Sequence, residues 1–172
     1  SDKGKGRSAE NHYNVMSLDD IKNLPVKNIA ADNCVLFMWT TWPVLFKQAP
    51  EVIKAWGFEY KTLGFIWVKQ LKGKAKISED ELEDADFRMT GGYWTRSNSE
   101  PCLLATRGKP SRVDASVRQV IAEPLREHSQ KPDQTRDRIV KLMGELPRIE
   151  LFARETVEGW DCYGNEVGKF NK

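Results

Sequence analysis

Cys34-Val35-Leu36-Phe37-Met38-Trp39-Thr40 is an unbroken apolar run, with Asp32-Asn33 before it and Thr41 after it. A short run without polar alternation suits a strand covered on both faces, as in a parallel sheet. A helical stretch from about Pro43 to Trp56 follows, which Pro50 breaks or restarts because its ring cannot sit in a helix interior. Tyr60 to Lys69 then gives a second strand. Strand, helix and strand at this spacing predict a βαβ unit, hence a parallel pair with a right-handed crossover. Further strands are expected over Pro101 to Thr106, ended by Gly108, over Val117 to Ala122, and over Ile149 to Ala153. Between the last two lies an amphipathic helix, Pro132 to Met143, with Ile139, Leu142 and Met143 on one side and Gly144 as its stop. The alternation predicts an α/β fold, a three-layer Rossmann-like sandwich with a mostly parallel sheet of at least five strands. The glycine fingerprint of dinucleotide binders is absent, so ligand contacts would rest on polar residues around the last strand.

A chain of 172 residues can bury a real core and favours one domain, assigned to residues 12–168. Residues 1–11 are glycine-rich, charged and nearly free of apolar groups, which predicts a tail or a mobile loop that closes over substrate. Ser17 and Asp20 form a capping box for a short helix through Leu24, stopped by Pro25. A net charge of +2 makes no global case for a polyanionic partner, so any basic surface must be local. Cys34, Cys102 and Cys162 are far apart and form no CxxC pair, and there are two histidines, which argues against structural zinc. With no signal peptide, no run of membrane-spanning length and no repeat, a reducing, cytoplasmic compartment without membrane contact is the expectation.

The polar residues gather where α/β sheets bind ligands, outside the carboxyl ends of strands. Arg148-Ile149-Glu150-Leu151-Phe152-Ala153-Arg154 runs into a loop with Gly159-Trp160 and Gly164-Asn165-Glu166. His128-Ser129-Gln130-Lys131-Pro132-Asp133 opens the preceding helix, with Pro132 fitting the first helical position. Trp67 and Lys69 share a face at the carboxyl end of the second strand. An indole beside an ammonium can clamp a base; a core tryptophan beside a solvated lysine is the other reading of the same residues. From Gln70 to Thr90 the chain turns polar, with Lys72, Lys74 and Lys76 first and Glu79-Asp80-Glu81 and Glu83-Asp84 after, a long loop of the sort that is functional or disordered. The three lysines are candidates for phosphate contacts.

Ser-x-Lys-Pro-Asp, Glu-Leu-Phe-x-Arg and Gly-Trp…Gly-Asn-Glu, in this order and spacing, resemble the carboxyl-terminal half of the S-adenosylmethionine-dependent adenine-N6 methyltransferases. That MT-A70-like family is typified by the catalytic subunit that methylates eukaryotic mRNA, and it has phage and bacterial relatives. The resemblance extends from about Asn11 to Val167. It implies a Rossmann-like methyltransferase fold, S-adenosylmethionine as cofactor and adenine in DNA or RNA as substrate, with DNA favoured for the phage and bacterial type, and it leaves room for a homo- or heterodimer. It also implies that Lys131, Glu150, Phe152, Arg154, Asn165 and Glu166 surround the cofactor. On the base side it points to His12, Tyr13, Trp67, Lys69 and Glu100. Glu100, which follows the Gly91-Gly92-Tyr93-Trp94 element, reads equally well as a strand-end carboxylate in water.

One departure matters chemically. The family's Asp-Pro-Pro-aromatic motif belongs shortly before His12, and this sequence contains no such tetrapeptide. An exocyclic amine has its lone pair delocalised into the ring, so a carboxylate and a carbonyl must accept its hydrogens while an aromatic face holds the base. Asp2 and Glu10 lack the prolines. Because residues 1–16 look like the family's normal continuation, an amino-terminally truncated and therefore inactive domain is expected over a rebuilt site. Two readings of other classes stay open. One is a catalytically silent methyltransferase-like subunit that binds nucleic acid or stabilises a partner; the other is a nucleotide-binding regulatory domain.

Overall fold

The computed structural model describes residues 15–72, 87–88, 91 and 94–171. His12, Tyr13, Lys74, Lys76, the acidic run after them and Gly92-Tyr93 therefore lie outside the described residues. Tertiary contacts divide the chain into two units, residues 1–111 with 118–128 and residues 112–117 with 129–172.

In the first unit the apolar runs become β1 (Cys34–Trp39), β2 (Glu59–Gln70), β3 (Ser99–Arg107) and β4 (Val120–Pro124). Their order in the sheet is β1-β3-β2-β4. β3 runs antiparallel to both β1 and β2, and β4 is parallel to β2. The expected parallel neighbours β1 and β2 do share a direction, but β3 lies between them. The sheet is thus mixed rather than mostly parallel, a correction to the three-layer parallel sandwich read from the sequence. β1 is an edge strand, half-buried along its length rather than covered on both faces. The fourth strand lies a few residues later than the Val117–Ala122 expected.

Helices form where the sequence stops and starts them. Ser17 caps α1 (Leu18–Lys22), its hydroxyl accepting the Asp20 N–H at 3.1 Å, and the helix ends two residues before Leu24. Pro25 opens α2 (Val26–Ile29) instead of merely stopping α1. The expected helix from Pro43 to Trp56 is two pieces, α3 (Trp42–Leu45) and α4 (Ala49–Ala55), each with a proline in its first turn, where the missing N–H costs nothing. Val52, Ile53 and Trp56 are buried, and the Trp56 indole donates to the Ile21 carbonyl at 2.8 Å, tying α4 to α1. The core centres on Phe65, Trp67, Cys102, Ala105 and Ile121, with Phe37 stacked on Phe65 at 5.6 Å between ring centroids.

The second unit holds α5 (Gln134–Met143), β5 (Ile149–Leu151) and β6 (Asp161–Tyr163). β5 and β6 form their own parallel two-stranded sheet, so the 149–153 segment does not complete a five-stranded one. The strand stops at Leu151 because Phe152 turns left-handed, at φ 59°. Pro132 lies ahead of α5 rather than at its first position, with Asp133 at the N-cap and the Pro132 carbonyl accepting the Thr135 N–H at 3.1 Å. Gly144 ends α5 as expected, at φ 81°, which a side chain would strain.

Phe65 is almost wholly buried against Phe37 and the β2–β3 ladder. Phe65→Ala is expected to lower stability by about 3–5 kcal/mol, read as a lower urea midpoint at unchanged slope; a loss under about 1 kcal/mol would put the ring outside the core.

Candidate functional site

In the first unit β1, β2 and β4 point one way and β3 the other, so three carboxyl ends and the amino end of β3 share one sheet edge. Trp67 and Lys69 stand at that edge, and Trp67 is paired in register with Glu100. The Lys69 ammonium lies 2.6 Å from a Glu100 carboxylate oxygen and 5.2 Å from the centre of the Trp67 ring. Both charged side chains are largely buried. The indole itself is buried, and its N–H donates to the Glu123 carbonyl at 2.9 Å. Of the two readings left open by the sequence, the core tryptophan describes its placement, but Lys69 is not the solvated partner of that reading. Glu100 likewise is an ion-paired, mostly buried acid rather than a carboxylate in water. Trp67 serves as a floor under the ammonium, a cation–π contact. Glu123, buried, is the register partner of Lys69 on β4. Lys72, further along, lies 3.9 Å from Glu127 and is exposed.

In the second unit, five of the expected cofactor residues sit on β5 and on the two adjoining turns that follow β5 and β6. β5 delivers Glu150, then the left-handed Phe152, whose ring is 47% exposed, then Arg154. β6 delivers Asn165, which is exposed, and Glu166. The turns are held in contact by Gly164: a Cβ there would lie 2.6 Å from the Ala153 carbonyl oxygen, and the Ala153 N–H donates to the Tyr163 carbonyl at 2.9 Å. Arg154 lies 3.0 Å from Glu166 and 4.4 Å over the Phe170 ring, while Lys169 holds the other Glu166 oxygen at 2.8 Å. Lys131, half-buried, stands ahead of α5 in the same unit.

Arg136 is the residue that sequence reasoning missed. It bonds Glu150 at 2.7 Å, Glu155 at 3.0 Å and Asp133 at 3.3 Å. Burial disfavours its charge, but the bonds to Glu150 and Glu155 outweigh that and hold the guanidinium more firmly protonated than usual. A signal existed: Pro132, Thr135, Arg136 and Ile139 have the spacing of one helix face, which places an arginine on the inward stripe. An open groove of about 590 Å³ runs along α5, lined by Arg136, Val140, Arg148, Glu155, Val157 and Trp160 among others. Its two arginines are already engaged, Arg148 by Glu145 at 3.0 Å and by the Trp160 ring at 5.6 Å.

The MT-A70 family profile matches residues 2–166, and the chain belongs to that family. Its relatives include the Type II methyltransferase M.MunI of a Mycoplasma species, 35% identical over 164 residues, spanning 93% of this chain and 62% of that protein. The N(6)-adenosine-methyltransferase MT-A70-like protein of Arabidopsis thaliana is 28% identical over 160 residues, 90% of this chain and 21% of its own. The human N(6)-adenosine-methyltransferase catalytic subunit METTL3 is 26% identical over 158 residues, 90% of this chain and 25% of its own. The chain therefore spans less than two thirds of the length of these relatives.

The Lys169 ammonium, and Arg154 behind it, hold the Glu166 carboxyl below its ordinary range. A depressed native value means the pairing stabilises at pH above the unfolded-state value and is lost as pH falls through the native one. Carbon-detected NMR titration should find Glu166 titrating below a model glutamate, and Lys169→Gln should move its midpoint up; an unmoved midpoint would remove Lys169 as the cause.

Proposed function

We propose that this chain binds S-adenosylmethionine and adenine as part of an enzyme that methylates adenine N6 in nucleic acid. DNA is favoured over RNA, in keeping with the higher identity to the Type II methyltransferase than to the N(6)-adenosine enzymes. The observation that supports this reading is that Glu150 stands on β5 while Phe152, Arg154, Asn165 and Glu166 follow on the two turns after β5 and β6, which Gly164 lets approach. A left-handed phenylalanine is strained, and strain of this kind persists where the surroundings need a side chain aimed in one direction.

The donor set suits the cofactor. Lys131 offers a cation to its amino-acid carboxylate, Asn165 an exposed amide to its sugar hydroxyls, and Phe152 an exposed ring face to its apolar parts. When bound, S-adenosylmethionine supplies an electrophilic methyl carbon on a sulfonium. Arg154 and Glu166 neutralise each other, so their part is to fix the turn that presents Asn165. Arg136 does the same for Glu150, orienting one carboxylate oxygen by its 2.7 Å bond. On the base side, Lys69 and Glu100 supply a donor and an acceptor on one edge, a pairing that matches the acceptor and donor pattern of an adenine rim.

The acceptor for the amine protons is a separate requirement. The Asp-Pro-Pro-aromatic tetrapeptide is not within residues 1–172, so this stretch by itself is expected to bind ligands and to transfer no methyl group. Supplying the motif ahead of His12 should restore turnover, measured as tritium passing from labelled cofactor to an adenine-containing oligonucleotide; equal rates with and without it would refute the assignment. Under the other reading, a catalytically silent subunit, the extended protein stays inactive while still binding nucleic acid.

Lys131→Ala and Asn165→Ala in the intact protein are each expected to weaken cofactor binding about tenfold or more, since a hydrogen bond to a charged group contributes roughly 1.5–3 kcal/mol. Calorimetry reads the affinity and circular dichroism the fold. Lys69→Gln should leave cofactor affinity alone and lower kcat/KM for the oligonucleotide. Unchanged cofactor affinity in both of the first two variants would return these residues to a structural role.

A further inference from the structure

The edge that carries Lys69 and Glu100 also carries exposed aromatic surface that the cofactor and adenine contacts do not use. Trp42 opens α3 directly after β1 and is 43% exposed; Phe46, four residues on and so on the same helical face, is 86% exposed. The Trp42 indole is not loose. Its N–H donates to the Ser99 hydroxyl at 3.0 Å, and Ser99 immediately precedes Glu100. Just upstream of Ser99, Trp94 is 99% exposed. Tryptophan is seldom left wholly in water, and large aromatics presented outward at a ligand edge mark a binding surface.

Charge says what binds there. From Thr40 to Pro50 the chain has no acid and one cation, Lys47; from Arg88 to Ser99 it has no acid and two cations, Arg88 and Arg96. Aromatic faces interleaved with cations, without acids, are the chemistry of unpaired nucleotides: bases stack on the rings and phosphates meet the cations. The chemistry of the proposed reaction asks for the same thing. An adenine amine inside a duplex is out of reach, so the base must be extruded or already single-stranded, which leaves its neighbours unstacked.

We propose that Trp42, Phe46 and Trp94 are stacking platforms for the bases that flank the target adenine, and so are substrate-positioning residues. This rests on the nucleic-acid reading above. Stacking on these rings offsets part of the cost of unstacking the strand, and the Trp42–Ser99 bond couples that platform to the Lys69–Glu100 pair.

The test uses the intact protein and a labelled single-stranded oligodeoxynucleotide with one central adenine, in a native form and in a form with abasic residues on both sides of that adenine. Fluorescence anisotropy is expected to show the wild type binding the native form about tenfold more tightly than the abasic one. Phe46→Ala and Trp94→Ala, both at exposed positions that folding does not need, should each lose several-fold on the native form, and combined with Trp42→Ala should bind the two forms alike. Cofactor affinity by calorimetry should stay unchanged. Each of these results overturns the proposal: wild type that does not distinguish the two forms; variants that lose equally on both; or variants whose mass by light scattering falls, which would make the patch a contact between protein chains. A wild type that binds the cofactor but neither oligonucleotide would refute the nucleic-acid reading itself, whereas normal wild-type binding with unaffected variants removes the stacking role alone.

Discussion

The reversed direction of β3 is the constraint on which the first unit's chemistry depends. A strand parallel to β2 in that position would present its carboxyl end beside Lys69, and Glu100, at the start of the strand, would stand at the far edge of the sheet. Running antiparallel, β3 sets Glu100 in register with Trp67, and Lys69 reaches it at 2.6 Å. Such a pair is an uncertain source of stability, because both charges lose water on becoming largely buried and their attraction has to offset that loss. Its asymmetry is the informative part: removing one partner strands the other charge, and removing both for apolar groups is nearly neutral. What the pair does here is positional: it fixes Lys69 and Glu100 against each other at one sheet edge.

The second unit meets the same need with less sheet. Strands of three residues have little ladder to hold them, and an isolated pair of strands is marginal in water. Here the geometry comes from side chains. Arg136 gathers acids from the N-cap of α5, from β5 and from the turn after it, Arg154 and Lys169 fix Glu166 from both sides, and Gly164 lets two backbones approach to a distance that no side chain would allow. Among the described residues of this unit, Phe152 and Ser129 are the non-glycine residues with left-handed backbone, each at φ 59°. Of the paired carboxylates Glu166 is held below its ordinary range, so its share of the pairing is lost as pH falls through its native value.

What the sequence made legible was whatever depends on neighbours along the chain. The apolar run at 34–40, the Ser17 cap, the proline starts and the Gly144 stop each follow from local chemistry, and each was found within a residue or a few of its place. Strand order was not legible. β1 and β3 pair residues such as Cys34 and Arg107, far apart in the chain, and nothing in an apolar run says which other run lies beside it or in which sense. The parallel sandwich was the expectation because a strand–helix–strand spacing usually closes on itself, and insertion of β3 between the two strands leaves that spacing unchanged. The site divides along the same line. The motif residues from Lys131 to Glu166 were readable as a set through the family they resemble, whereas Arg136, which that pattern does not include, needed the helix face and the facing acids to be seen together.

Near-neutrality of the whole chain is compatible with the proposed polyanionic substrate because of where the acids are. Glu100 is bonded to Lys69, Glu150 and Glu155 to Arg136, and Glu166 to Arg154 and Lys169, so several carboxylates that enter the net charge are matched by a cation at under 3.1 Å. The field beyond a matched pair falls off quickly and is screened further by salt. The acid-free stretches around Trp42 and Trp94 are different, since Lys47 and Arg96 sit in sequence beside aromatic residues and away from any carboxylate neighbour. A surface that draws phosphates weakly and bases through stacking would bind with a shallow salt dependence, because the stacking part of the affinity releases no counterions.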